Sequence, residues 1–370
     1  MNEEIVLQIL KQSGIDLVAS LPCDKNKRLT ELLSKSFHVV DLAREEDGVG
    51  ICAGAYLVGK KPLLSIQSSG IGNMLNALMS LSILYNLPLP ILASWRGVEN
   101  ESICAQIPFN QPLPEMLDVY GIPYRIFSTA EDFKNLNLVI DDAFLFQKPS
   151  IALILPSCWG SDSDSVISYP PRTFSEKSIY LNEVSSFEMT RFEAIQTISE
   201  NIDSDSIIIS NIGVPSKELY AIKDRVLNFY MLGSYMQASA IGLGCSLGTK
   251  RSVCVIDGDG SLLGSAVLPV IAAENPSNLT IFALDNGTFG STGNQLSPAY
   301  KTADLGVIAA GAGIKSIIRV GTKQQLLESV EKSKDALRFI HILIRPGNSN
   351  CSNIPLLPHE IKDRFISNFK

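Results

Sequence analysis

Two short polar motifs stand out in this chain of 370 residues, because each follows an apolar run that is typical of a buried strand. GDGS at 258–261 follows VCVID, and DNG at 285–287 follows LTIFAL. Neighbouring parallel strands end at the same edge of a sheet, so Asp259 and Asn286 are expected to lie side by side. A carboxylate, an amide oxygen, a backbone carbonyl and phosphate oxygens would together suit an octahedral magnesium ion. GDGS is also expected to open a helix running to Asn275, whose first N–H groups attract a phosphate.

Taken singly, the two motifs have ordinary explanations, since GDG suits a strand-to-helix turn and DNG a hairpin. Together they resemble the cofactor motif of the thiamine diphosphate enzymes, in which GDG is followed after the next strand by Asn-Asn. The resemblance implies that the side chains of Asp259 and Asn286 and the carbonyl of Thr288 bind magnesium. Asp285 then replaces the first Asn of the family pair. Further cofactor contacts are implied at Gly258, Gly260, Ser261, Phe289 and Gly290.

The first half of the chain carries a second motif of this family. The segment REEDGVGICAGAY at 44–56 matches the pattern E-x-x-x-G-x-x-A-x-x-Y when it begins at Glu46. In these enzymes a carboxylate bound to the aminopyrimidine N1′ favours the imino tautomer, whose nitrogen takes the proton from thiazolium C2. The resemblance therefore implies that Glu46 is catalytic. The alternative is a solvated carboxylate favoured by the helix dipole, which is the role we expect for Glu45.

A third resemblance concerns the support of the cofactor rings. The segment LGSYMQAS at 232–239 is similar to the family segment G-S-M-G-x-A-S. The resemblance places at Gly233 the carbonyl that binds the 4′-amino group, and at Tyr235 the support beneath the rings. Met236 stands where relatives have glycine.

The secondary-structure elements that must position these motifs alternate in the same way in both halves of the chain. Short, almost wholly apolar strands alternate with helical patterns, which predicts an α/β fold with a parallel sheet covered by helices on both faces in each half. We expect a pyrimidine-binding domain at 1–160, a linker rich in Ser and Pro at 161–188, and a diphosphate-binding domain at 189–370. Only the linker separates the halves, so no central third domain is expected.

Composition excludes several other classes of protein. The chain has 31 Lys and Arg against 38 Asp and Glu, a net charge of −7, and no dense basic run, so nucleic acid is not an expected partner. With three His it cannot build a His-rich metal centre. Residues 62–95 carry no charge, but Pro88 and Pro90 interrupt them, so a buried helix and strand are expected there and no membrane span. Seven Cys without a C-x-x-C pair and an acidic N-terminus predict a cytoplasmic protein.

One branch of the family matches nearly the whole chain. The two-domain arrangement, with IQSSGIGNMLNALMSL, SWRG, GIPY and LYAIKDR, resembles the phosphonopyruvate and sulfopyruvate decarboxylases. CAQIPFN at 104–110 is similar to the sulfopyruvate branch, which implies conversion of 3-sulfopyruvate to sulfoacetaldehyde and CO₂, a step of coenzyme M biosynthesis. Phosphonopyruvate is the alternative substrate, and its more highly charged tail should demand an extra cation or His. A regulatory or scaffold protein without activity is disfavoured, because both Glu46 and Asp259 are present.

A small anionic 2-oxo acid needs cationic and hydroxyl donors in the first half of the chain. Arg96 is the favoured contact, because a planar guanidinium can hold a tetrahedral oxyanion with two hydrogen bonds. Asp24 stands where pyruvate decarboxylase relatives carry a catalytic Asp, so the last proton can come from Asp24, from water or from the aminopyrimidine. The resemblance also implies a homodimer or homotetramer with active sites between chains. The other candidate substrate contacts, each with a capping or surface role as the alternative, are Lys25, Ser68, Ser69, Asn73 and Gln106.

Overall fold

The protein forms two compact units, each built on its own sheet. The second unit holds 57–59 and all described residues from 184 onward, and the first unit holds the others. The predicted linker at 161–188 lies largely outside the described residues, so its boundaries stay a prediction. The computed structural model describes residues 2–160, 184, 186–331 and 336–369.

The first unit contains six strands, and every neighbouring pair is parallel, as the apolar runs predict. They are β1 (Leu17–Ser20), β2 (His38–Asp41), β3 (Pro62–Gln67), β4 (Leu89–Ser94), β5 (Tyr124–Phe127) and β6 (Pro149–Ile154). Their order across the sheet is β2-β1-β3-β4-β6-β5.

The helices of the first unit alternate with its strands. They are α1 (Asn2–Gln12), α2 (Lys27–Ser36), α3 (Glu45–Leu57), α4 (Gly70–Ala77), α5 (Ile107–Asn110), α6 (Leu113–Tyr120) and α7 (Leu136–Phe146). Apolar side chains of α1, α2 and α7 form one continuous core with the sheet. The uncharged segment 62–95 folds as β3, α4, a π-helical turn at Leu78–Ile83 and β4. Within the part of the chain that the structure describes, no helix is long and apolar enough to cross a membrane.

The second unit has a six-stranded parallel sheet and a short antiparallel hairpin. Its strands are β7 (Ile207–Ser210), β8 (Asn228–Tyr230), β9 (Val253–Gly258), β10 (Leu279–Asp285), β11 (Thr288–Phe289), β12 (Gln295–Leu296), β13 (Ser316–Val320) and β14 (Arg338–Leu343). The sheet order is β13-β14-β10-β9-β7-β8, and β11 pairs with β12.

The helices of the second unit include one that differs from the prediction. They are α8 (Arg191–Asn201), α9 (Val214–Ile222), α10 (Ala238–Gly248), α11 (Asp259–Gly264), α12 (Val267–Glu274), α13 (Leu305–Ala312), α14 (Lys323–Glu331) and α15 (Pro358–Ile366). The single helix predicted from GDGS to Asn275 is wrong, because the helix breaks between α11 and α12. Ser265 is extended there, and its hydroxyl accepts a hydrogen bond from the Val267 N–H, which competes with helical bonding.

Helix α10 lies so close to β9 that only glycine fits at one position. A Cβ added to Gly242 would lie 2.1 Å from Val255 Cγ2, whereas one added to Gly311 in α13 would meet no atom within 4 Å. Gly242→Ala should therefore lower the free energy of unfolding by about 1–3 kcal/mol through overpacking. Gly311→Ala should raise it by about 0.5–1 kcal/mol by removing helix-interior glycine. Urea unfolding of both variants measures this, and a Gly242→Ala protein as stable as the wild type would contradict the packing.

Candidate active site

A cavity of about 340 Å³ opens at the carboxyl edge of the second sheet, where β7, β9 and β10 end side by side. In the parallel register Leu284 pairs with Gly258, so the two polar motifs follow neighbouring strands as predicted. Of the ten predicted cofactor-binding residues, Gly233 is absent from the lining. The other nine line the cavity: Tyr235, Gly258, Asp259, Gly260, Ser261, Asn286, Thr288, Phe289 and Gly290.

The carboxylate of Asp259 is buried at this edge, with 3% of the residue exposed. Burial raises its pKa to about 6, Asp285 adds to the rise, and a hydrogen bond from the Ser297 hydroxyl opposes it. Among the described residues no Lys, Arg or His lies within ion-pair distance of Asp259. A buried carboxylate without a counter-charge is unfavourable, so this position suits a bound cation.

The remaining predicted ligands are neutral oxygens. Asn286 Oδ1 accepts a hydrogen bond of 2.9 Å from the Thr288 N–H, which fixes the amide at the start of β11. Thr288 Oγ1 is buried and has no hydrogen-bond partner within the described ranges. Those ranges hold no group of three or more His, Cys, Asp or Glu that could bind a metal. A cation here would therefore take its other ligands from amide, carbonyl and phosphate oxygens, the set that Mg²⁺ prefers.

Sequence reasoning misses part of the cavity wall. The available signal is the apolar strand IIIS at 207–210 followed by Asn-Ile-Gly, since β7 neighbours β9 and ends at the same edge. Gly213 has φ +87° immediately before α9, a left-handed conformation that favours glycine. The lining residues that were not predicted are Arg191, Asn211, Ile212, Gly213, Pro215, Leu284, Ser291 and Thr292.

In the first unit, Glu46 lies in the first turn of α3 and is 5% exposed. Arg44 Nη2 lies 3.0 Å from Glu46 Oε2. Burial raises the pKa of Glu46, and the charge of Arg44 partly opposes this. A carboxyl group held in its protonated form towards higher pH is suited to exchange protons with a ligand.

The expectation that Glu45 is solvated is wrong. Glu45 is 8% exposed, and its Oε2 accepts a hydrogen bond of 3.0 Å from Asn73 Nδ2. Its side chain lies against Gly70, the first residue of α4, where an added Cβ would be 2.5 Å from Glu45 Cγ and 2.6 Å from Glu45 Oε1. Glu45 therefore fixes α3 against α4, and Asn73, a predicted substrate contact, is engaged in this bond.

Arg96 is 2% exposed and most of its nitrogens are occupied. Nε donates to Glu101 Oε2 at 2.6 Å, and Nη1 donates to Asp24 Oδ1 and to Gln67 Oε1. The guanidinium lowers the pKa of Glu101 to about 2. Nη2 is buried and has no hydrogen-bond partner among the described residues. Two nitrogens of Arg96 are therefore not free to bind an oxyanion together, contrary to the prediction, and Nη2 is the one donor nitrogen that remains.

Ser68, predicted to contact substrate, is fully buried. Its hydroxyl donates to Asn110 Oδ1 and accepts from the Arg96 N–H at 2.9 Å. These bonds tie the end of β3 to the segment after β4. Ser68 therefore holds Arg96 in place and offers no free donor.

The other predicted substrate contacts are partly exposed and lie around the same cluster. Lys25 Nζ is 3.6 Å from Asp24 Oδ2. Gln67 Nε2 donates to the Ser69 hydroxyl and, at 3.3 Å, to Gln106 Oε1. The structure thus brings Lys25, Ser69 and Gln106 together with Arg96 in the first unit, linked through Asp24 and Gln67.

Comparison with known proteins agrees with this geometry. The C-terminal TPP binding domain of thiamine pyrophosphate enzymes matches residues 213–342, and the N-terminal TPP binding domain of these enzymes matches 2–121. The chain is 45% identical to sulfopyruvate decarboxylase of Methanosarcina acetivorans over 98% of this chain and 96% of the relative. The chain belongs to the thiamine pyrophosphate enzymes. The predicted fold, the thiamine diphosphate cofactor and the class of thiamine diphosphate-dependent decarboxylase are thereby confirmed.

Two further relatives of this thiamine pyrophosphate enzyme differ in how much of it they match. The sulfopyruvate decarboxylase subunit beta of Methanocaldococcus jannaschii is 44% identical over 49% of this chain and 97% of the relative. The phosphonopyruvate decarboxylase of Streptomyces viridochromogenes is 28% identical over 95% of this chain and 91% of the relative.

Asp285 and Met236 depart from the family motifs. Asp285 Oδ2 lies 2.8 Å from His341 Nε2, and Asp285 Oδ1 accepts from the Gly287 N–H at 3.0 Å, so this side chain holds the DNG turn and does not line the cavity. Met236 has φ +73°, in the left-handed region that favours glycine, and nothing in the structure explains the methionine at this position. The Tyr235 hydroxyl donates to the Gly260 carbonyl, which fixes the predicted ring support at the cavity wall.

Removal of a predicted metal ligand should abolish retention of the cofactor. Asp259→Ala and Asn286→Ala are each expected to weaken thiamine diphosphate binding by about 100-fold or more, beyond the 10–100-fold typical of indirect metal partners. Thr292→Ala, at a lining residue with no expected ligand role, should bind normally. Calorimetric titration of the Mg²⁺-containing apo-protein measures this. Unchanged affinity in Asp259→Ala would mean that GDG is only a turn.

Proposed function

We propose that the protein decarboxylates 3-sulfopyruvate to sulfoacetaldehyde and CO₂, using thiamine diphosphate and Mg²⁺, as a step of coenzyme M biosynthesis. One observation carries the choice of substrate. Identity is 45% to a sulfopyruvate decarboxylase over nearly the whole chain, against 28% to a phosphonopyruvate decarboxylase over a similar length.

The second unit holds the cofactor in this proposal. When bound, thiamine diphosphate accepts the electron pair that is released as the substrate loses CO₂. Asp259 and Asn286 bind Mg²⁺ with their side chains and Thr288 with its carbonyl, and the ion neutralises the diphosphate. Tyr235 supports the rings, and the Gly233 carbonyl orients the amino group.

Glu46 shares a proton with the aminopyrimidine N1′ in this proposal. Its burial and raised pKa keep a proton on the carboxyl group at higher pH than an exposed Glu would, so it can share that proton with a ring nitrogen. The later proton comes from Asp24, from water or from the aminopyrimidine, and Asp24 is the protein side chain proposed for it, exposed beside Arg96.

The charge around Arg96 favours a singly charged tail. Arg96 and Lys25 carry two positive charges, and Asp24 and Glu101 carry two negative charges, so the cluster is neutral as a whole. A sulfonate with charge near −1 costs less to bring beside the two carboxylates than a phosphonate with charge near −2. Arg96 Nη2 is the donor left for that tail.

We also propose a cytoplasmic homo-oligomer in which Glu46 of one chain serves the cofactor held by another, as the family resemblance implies. All seven cysteines are free thiols, and five of them are buried, which suits a reducing compartment. The relatives include a sulfopyruvate decarboxylase subunit that matches 49% of this chain.

The substrate proposal is tested by CO₂ release from sulfopyruvate and from phosphonopyruvate, side by side, with and without thiamine diphosphate and Mg²⁺. We expect kcat/KM for sulfopyruvate to exceed that for phosphonopyruvate by about 10-fold or more, the effect of about 1.4 kcal/mol of charge mismatch. Release should stop when either cofactor is omitted. Equal or better kcat/KM with phosphonopyruvate would reassign the substrate.

The shared-site proposal is tested by refolding Glu46→Gln and Asp259→Ala together. Each variant alone is expected to be inactive. If the residues act across chains, half of the dimers are mixed and each has one sound site, so the mixture should recover up to about a quarter of wild-type activity. Each variant refolded alone is the control. No recovery in a mixture shown to exchange subunits would place the whole site within one chain.

A further inference from the structure

Arg191 is a buried cation in the wall of the cavity that the proposed chemistry leaves unused. It is the first residue of α8, only 6% exposed, and lines the cavity beside Gly290. Its Nε donates to Glu218 Oε2 at 2.8 Å, and its Nη2 donates to Glu218 Oε1 at 3.2 Å and to Asn348 Oδ1 at 2.8 Å. Three of its five N–H groups are thus directed at protein acceptors.

The third nitrogen, Nη1, has no hydrogen-bond partner in the described part of the chain. It lies 3.1 Å from the point where a Cβ on Gly290 would stand, so glycine at 290 leaves this side of the guanidinium open. Protein acceptors occupy the other two nitrogens, so Nη1 is the nitrogen of this cavity-lining side chain that is left for a ligand, and Arg is suited to phosphate. A bound anion would supply the acceptor that completes the hydrogen bonds of the Arg191 guanidinium.

The network around Arg191 fixes the direction in which Nη1 points. Glu218 Oε1 also accepts from Ser349, from its N–H at 3.2 Å and its hydroxyl at 2.6 Å, which holds the carboxylate in place. Asn348 Nδ2 donates to the Gly290 carbonyl at 2.7 Å, which ties the loop after β11 to the same cluster. A guanidinium held on two sides needs little reorganisation to bind a ligand on the third.

We propose that Arg191 Nη1 binds the terminal phosphate of thiamine diphosphate. The diphosphate is the anionic part of that cofactor, and a cation beside the positively charged thiazolium would be repelled. Asp259, Asn286 and Thr288 would hold the metal, and Tyr235 would support the rings, so Arg191, the one cationic side chain in the described cavity lining, is left to bind the terminal phosphate. This role depends on cofactor binding and not on which 2-oxo acid is decarboxylated.

The test compares binding of thiamine diphosphate and thiamine monophosphate, which lacks the terminal phosphate. Loss of Arg191 alone would leave Glu218 as a buried unpaired charge, so the matched pair is Glu218→Gln and the double variant Arg191→Met/Glu218→Gln. Both are titrated calorimetrically with each ligand in the presence of Mg²⁺ and without substrate. Arg345→Met, which removes an exposed cation outside the cavity lining, controls for net charge.

The ratio of the monophosphate Kd to the diphosphate Kd should fall about 10-fold or more between Glu218→Gln and the double variant, the loss of one charge-assisted hydrogen bond. Arg345→Met should keep the wild-type ratio within about 3-fold. An unchanged ratio in the double variant would overturn the assignment. Loss of activity towards sulfopyruvate with a normal ratio would count against the proposed substrate alone.

Discussion

The structure of the second unit depends on one unfavourable interaction, the burial of the Asp259 carboxylate without a counter-charge among the described residues. The pKa of this group is raised to about 6 because burial disfavours its charged form. Folding places it there because β9 is a central strand whose register with β10 brings two polar motifs to one edge. A cation with oxygen ligands would remove this conflict, and a diphosphate would then balance the charge of the cation.

In the first unit, burial and ion pairing act on two different ionisable side chains. Glu46 is kept protonated to higher pH by burial, whereas Arg96 is kept charged by two carboxylates and retains one free nitrogen. In the proposed function, proton exchange and recognition of an anionic tail therefore rest on separate side chains of one unit, and cofactor binding rests on the other. Such a division suits a protein whose relatives include a subunit that matches about half of this chain.

Sequence reasoning found the elements and residues whose patterns are local. Nine of the twelve strands in the two six-stranded sheets were predicted from apolar runs, and the other three, β5, β8 and β13, lie at sheet edges. The hairpin strands β11 and β12 are two residues long each and were not predicted as strands. Nine of the ten predicted cofactor residues line the cavity, and all of these except Tyr235 lie at or shortly after the ends of the central strands β9 and β10. Arg191 escaped because its partners Glu218 and Asn348 are distant in sequence, and Glu45 was misjudged because its burial depends on packing against α4.

The central claim is that the cavity binds the diphosphate through a metal at Asp259, so that metal and cofactor stabilise the protein only together. Thermal unfolding of the apo-protein with thiamine diphosphate and EDTA, with Mg²⁺ alone, and with both tests this directly. Tm should rise with both ligands by far more than the sum of the two separate rises, because each ligand completes the other's site and a ligand that binds only the native state stabilises it. An equal rise with thiamine diphosphate in EDTA would contradict it.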